Sequence, residues 1–68
     1  MSIYEDAVRE ALKQGPGSVR QIVDRIPRAS ENGVRRELCR MEERGEARIL
    51  RFERLTPYAY TPIWEAVE

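Results

Sequence analysis

The sequence predicts an α+β fold, three short helices followed by a two-stranded β-hairpin, in one domain covering residues 1–68. Three observations lead there. Apolar residues recur at helical spacing in three successive segments before Gly45. Each segment is bounded by a serine with capping potential or by a glycine or proline stop. After Gly45 the pattern changes to two β-prone runs around Pro57, which reads as a hairpin.

The first helix is expected from about Ser2 to Gln14. Ser2 and Glu5 have capping-box spacing, and Gly15-Pro16-Gly17 ends the helix. Its apolar residues, Ile3, Tyr4, Ala7, Val8, Ala11 and Leu12, cover roughly half the circumference at about 100° per residue. That width fits contact with something besides the helix's own domain, such as a second copy; small alanines that merely broaden the stripe fit it as well.

The second helix is expected to begin at Ser18, where Gln21 completes another capping box. Val19, Ile22, Val23 and Ile26 form a tight buried stripe, and Pro27 stops the helix because the residue before proline disfavours helical backbone. Pro27-Arg28-Ala29 makes a short turn. Ser30 caps a third helix that runs to about Arg44, with Gly45 as its stop and Val34, Leu38 and Met41 as its buried stripe. Two helices joined by about three residues cross steeply, which is helix-turn-helix geometry.

Beyond Gly45, residues 47–52 and 58–61 read as strands, residues 54–57 as the loop between them, and Pro62 as the end of the second strand. Residues 63–67 form a tail of undetermined conformation.

Composition excludes several functions. Sixty-eight residues bury little core, so stability gained from a partner is expected. There is no run of 18 apolar residues and the N-terminus carries no signal-like pattern, so a cytoplasmic or nucleoid-associated protein is expected, with no membrane partner. One cysteine and no histidine exclude an internal disulfide and the usual zinc spacings, so no metal or cofactor is expected. Without histidine the commonest general base is missing, and no phosphate loop or nucleophile elbow occurs, so the chain does not read as an enzyme.

Net charge is zero, but its distribution is uneven. Residues 18–54 hold ten arginines against seven acids, whereas residues 1–17 carry −1 and residues 55–68 carry −2. The basic excess therefore lies on the helix-turn-helix and the first strand. Eleven of the twelve basic residues are arginine, whose planar fork fits phosphate and guanine. A genome rich in arginine codons gives the same bias.

Three helices followed by a hairpin resemble the winged helix-turn-helix family of prokaryotic and phage transcriptional regulators. The resemblance covers nearly the whole chain and is most specific in VRQIVDRIPRASENGVRRELCRMEERGEARIL, where an apolar-R-R-x-L-x-x-x-E-x-x-G helix follows a serine-led turn and enters a strand. It implies that the third helix lies in the DNA major groove and that the hairpin, the wing, lies along a phosphate backbone or minor groove. The chain departs from a strong DNA binder in its zero net charge and in four acids on the third helix, Glu31, Glu37, Glu42 and Glu43. Winged helices also serve as protein-interaction modules, so an assembly adaptor is the alternative.

With the buried stripe on Val34, Leu38 and Met41, the opposite face of the third helix centres on Asn32, Arg36, Cys39 and Glu43, flanked by Arg35 and Arg40. Asn32, Arg35 and Arg36 are the candidates for base contacts, because asparagine pairs with adenine and arginine with guanine. Ser18, Arg20, Arg28, Ser30, Arg40 and Arg54 are the candidates for the DNA backbone. For Arg36 the competing reading is a solvated side chain paired with Glu43. Gly33 reads either as close approach of DNA or as a relaxed first turn. Tyr58, Tyr60 and Trp64 have spacing suited to base stacking but are more often core or partner contacts. Cys39, one turn from Arg35 and Arg36, is a candidate for oxidation that blocks docking. A homodimer joined through the first helix or the C-terminal segment would read two half-sites about one helical turn apart.

Overall fold

The computed structural model describes residues 3–67, with side-chain detail from Tyr4 onward. The elements are α1 (Ile3–Lys13), α2 (Val19–Asp24), α3 (Glu31–Glu43), β1 (Ala47–Thr56) and β2 (Ala59–Ala66), in that order. The expected capping box at Ser2 lies outside the described residues. Three helices pack around one core, and a single antiparallel hairpin closes it and projects beyond it.

The core is built from the predicted stripes. Val8, Ala11 and Leu12 of α1, Val19 and Ile22 of α2, and Val34, Leu38 and Met41 of α3 are all buried. Tyr4, Val23 and Ile26 pack half-buried at its edge. The breadth of the α1 stripe is thus used within its own domain: Tyr4 packs against this core and Ala7 is half-buried.

Helix α2 is shorter than expected, six residues. Ser18 caps it with the full reciprocal box: the Gln21 amide donates to Ser18 Oγ at 3.2 Å and the Ser18 amide to Gln21 Oε1 at 2.9 Å. It ends at Asp24, before Pro27 is reached, because the chain tightens: the Arg25 amide bonds the Ile22 carbonyl at 3.0 Å and the Ile26 amide bonds Val23 at 3.1 Å. Arg28 then takes a left-handed conformation, φ 62°, that turns the chain into α3. Ser30 caps α3, accepting from the Gly33 amide at 3.0 Å, and Gly45 with φ 76° follows its end.

The hairpin differs most from expectation. β1 continues through the predicted loop to Thr56, and Pro57-Tyr58 is a two-residue turn between Thr56 and Ala59. Pro62 does not end β2, which runs on to Ala66 and brings Ile63 and Trp64 into buried positions. The expected tail is therefore strand, and Trp64 is part of the core. Its amide donates to the Gly17 carbonyl at 2.8 Å and its carbonyl accepts from the Gly17 amide at 3.0 Å, so Gly17 adds a one-residue third strand. Proline is tolerated at 62 because its nitrogen faces the same outer edge as Trp64, where no β1 bond is lost.

Candidate nucleic-acid interface

The turn after α2 and the Ser30 cap set α3 across the domain with Val34, Glu37, Leu38 and Met41 inward. Asn32, Arg35, Arg36, Cys39 and Arg40 are all exposed. The structure places the three candidate base-contacting residues together on the N-terminal half of the outward surface. Asn32 and Arg36 have no side-chain partner among the described residues. Arg35 makes a 3.4 Å pair with Glu31, both more than half exposed.

A groove of about 630 Å³ lies between α2, α3 and the hairpin. Ser18, Arg20 and Arg35 line it, as do Cys39 and, from the wing, Leu55. Asp24 and Glu31 also line it, so its cations and acids balance. Ser18 is buried with its hydroxyl and amide used by the capping box. Arg20 and Arg28 are exposed with no side-chain partner among the described residues. Arg40 Nη1 stands 3.9 Å from Glu37 Oε1. Arg54 does not extend freely from the wing tip: it stacks on the Tyr60 ring, 5.6 Å from its centroid, and donates to the Tyr60 hydroxyl at 3.1 Å.

The four acids of α3 do not act together. Glu37 is 1% exposed and points away from the outward surface. Arg44 Nη2 donates to its Oε2 at 3.2 Å, while Oε1 has no hydrogen-bond partner. Arg44 also donates to Glu46 at 2.8 Å, and Glu46 accepts from Arg9 at 3.1 Å. These bonds tie α1, the end of α3 and the start of β1 into one ionic cluster. Beside it the Glu46 carboxyl lies below its ordinary range, chiefly through its bond to Arg44, and the Arg44 guanidinium is shifted up by Glu46 and Glu37.

Two further positioning devices were not visible in the sequence. The Arg25 guanidinium donates to the carbonyls of Ala11 at 3.0 Å, Gly15 at 2.7 Å and Pro16 at 3.2 Å, fixing the linker between α1 and α2. At the start of α3 a Cβ on Gly33 would lie 2.5 Å from Tyr4 Cε2. Gly33 is thus neither a site of free approach nor a relaxed turn; it makes room for an aromatic ring of α1. The Tyr4 hydroxyl accepts from the Ser30 amide at 3.3 Å and meets Ser30 Oγ at 3.5 Å, which draws the phenol below its ordinary pKa. Both devices join residues distant in sequence, so no local pattern announces them. Among the aromatic candidates, Trp64 is core, whereas Tyr58 and Tyr60 are exposed at the wing tip.

No group of His, Cys, Asp and Glu able to hold a metal ion occurs among the described residues, and no helix among them is long and apolar enough to cross a membrane. No family model matches the chain, and no relative was found among curated proteins. Among solved structures, diamide-treated YodB from B. subtilis superposes with a TM-score of 0.78 over 96% of this chain, at 20% identity. This chain spans 61% of the length of that one. At that identity the likeness is one of fold, and three helices closed by an antiparallel hairpin are a winged helix.

Proposed function

We propose that this chain binds double-stranded DNA in a sequence-specific manner as a small transcriptional regulator, with α3 in the major groove. Asn32, Arg35 and Arg36 read base edges, and Arg20, Arg28, Ser30 and Arg40 face the backbone, joined by Arg54 when it leaves the Tyr60 ring; Ser18, with its hydroxyl and amide in the capping box, contributes by fixing the start of α2. The observation that carries this reading is Arg36, an exposed guanidinium on the outward surface of α3 with no side-chain partner among the described residues. It can engage a guanine without first breaking a bond within the protein. Arg20 and Arg28 support the reading in the same way, and the inward turn of Glu37 removes an acid from the DNA-facing surface. In this reading the protein is a cytoplasmic, dimeric, non-catalytic binder.

A second reading, a protein-interaction module, is favoured by the balanced charge of the groove and by the apolar wing, where Leu50, Phe52, Leu55, Tyr58 and Tyr60 are exposed. Selection from a random duplex pool separates the two. An enriched motif that disappears with Arg35→Ala/Arg36→Ala, and affinity that falls steeply with salt, support base readout. No enrichment, or enrichment indifferent to both arginines, moves the assignment to the protein-interaction reading.

A further inference from the structure

The two long edges of the hairpin are not equivalent. The outer edge of β2 is partly blocked: Trp64 is bonded to Gly17, and two residues earlier Pro62 has no N–H to offer. The outer edge of β1 pairs with no strand among the described residues. Strand parity fixes which groups it presents. Because Trp64 directs its N–H and carbonyl outward, Tyr60 does the same and Pro62 turns its nitrogen and carbonyl that way, so their partners Phe52 and Arg54 direct their N–H and carbonyl groups outward from β1. Bulges at Ile49/Arg51 and Arg54/Thr56 bracket this segment, leaving Arg51 to Arg54 as its regular part.

We propose that this open edge pairs with the same edge of a second copy, β1 against β1 in antiparallel register centred on Phe52. Two-fold symmetry requires the pairing to centre on a residue. Centred on Glu53 it sets two carboxylates directly opposite each other, and centred on Arg51 or Arg54 it does the same with two guanidinium groups. Only Phe52 as centre brings unlike charges together: Arg51 meets the partner's Glu53, and Glu53 meets the partner's Arg51. The two already share one sheet face within a protomer, where Arg51 Nη2 lies 2.9 Å from Glu53 Oε2. On the other face Phe52, 61% exposed, meets its own copy, with Pro62 and Tyr60 behind it. The result is a four-stranded sheet, β2-β1-β1-β2, that covers exposed apolar wing surface with a surface of the same kind. The pairing is measured without DNA, so its failure and the failure of base readout are distinguishable.

Sedimentation of the full chain over a concentration series tests it, with wild type beside Glu53→Arg and Arg51→Glu/Glu53→Arg. The single reversal faces like charges across both pairs, and the double reversal restores unlike ones. The expected result is a dimer whose dissociation constant rises about tenfold or more in Glu53→Arg and returns to within about threefold in the double variant. Hydrogen exchange should slow at the Phe52 and Arg54 amides as protein concentration rises, in wild type and in the double variant. A chain that stays monomeric up to about 1 mM, a dimer indifferent to Glu53→Arg, or unprotected Phe52 and Arg54 amides in the dimer would each overturn the proposal.

Discussion

The Tyr4 ring occupies the space in which Gly33 would carry a side chain, and the same ring's hydroxyl holds the serine that caps the helix Gly33 belongs to. One aromatic residue of α1 thereby sets both the height and the starting point of α3. Substituting Gly33 by alanine should therefore destabilise the fold although alanine is the better helix former. Helix propensity favours alanine by about 0.5–1 kcal/mol, whereas overpacking costs typically about 1–3 kcal/mol. A net loss of about 1 kcal/mol in urea unfolding is expected. A more stable Gly33→Ala protein would mean that the Tyr4 ring swings aside freely.

Glu37 and Arg44 should behave asymmetrically. Arg44→Ala removes the main partner of a buried carboxylate and should lower Tm by more than Arg51→Ala, which breaks an exposed pair. Adding Glu37→Leu to Arg44→Ala should recover most of the loss, because it removes the stranded charge. Equal effects of the two arginine substitutions in thermal melts would show that Glu37 does not depend on Arg44.

Acid sensitivity should trace in part to Glu46. Its carboxyl is held below the ordinary value of 4.5 by Arg44 and, more weakly, by Arg9. A folded-state pKa below the unfolded one means that the unfolded chain binds the proton first. The contribution is complete above the unfolded value and is lost as pH falls through the folded one. Denaturant midpoints taken from pH 6 downward should fall less steeply in Glu46→Gln than in wild type. Superimposable pH profiles would remove Glu46 from the account.

Arg36→Ala should leave stability within about 0.5 kcal/mol of wild type, since the side chain is exposed and has no side-chain partner among the described residues. On DNA it should reduce affinity for the preferred site by about 1–3 kcal/mol and relax the preference at one base pair. Loss of folding in this variant, seen by circular dichroism, would assign Arg36 a structural role instead.

Element order and most of the core were legible in the sequence because apolar spacing and capping residues are local signals. Val34, Leu38 and Met41 are buried as their spacing predicts, and Ser18 and Ser30 cap as their positions predict. The wing departs from its sequence pattern because proline locally signals the end of a strand; on an outer edge it costs no ladder bond, and β2 continues through Pro62 to bury Trp64. Of the candidate site, the exposure of Asn32, Arg35 and Arg36 followed from the helical period. The engagement of Arg54 by Tyr60, the inward turn of Glu37 and the fit of Tyr4 over Gly33 depend on residues brought together only by the fold.

The bonds between Gly17 and Trp64 bear on the order in which the protein can assemble during synthesis. The three helices are complete once residue 43 has been made, yet the largest side chain of their core arrives 21 residues later, on a strand whose inner neighbour is β1 and whose outer neighbour is Gly17. Without that strand the helices surround an interior that lacks its largest side chain. The wing is therefore the last component of the hydrophobic interior to arrive, as well as the part that reaches farthest from it.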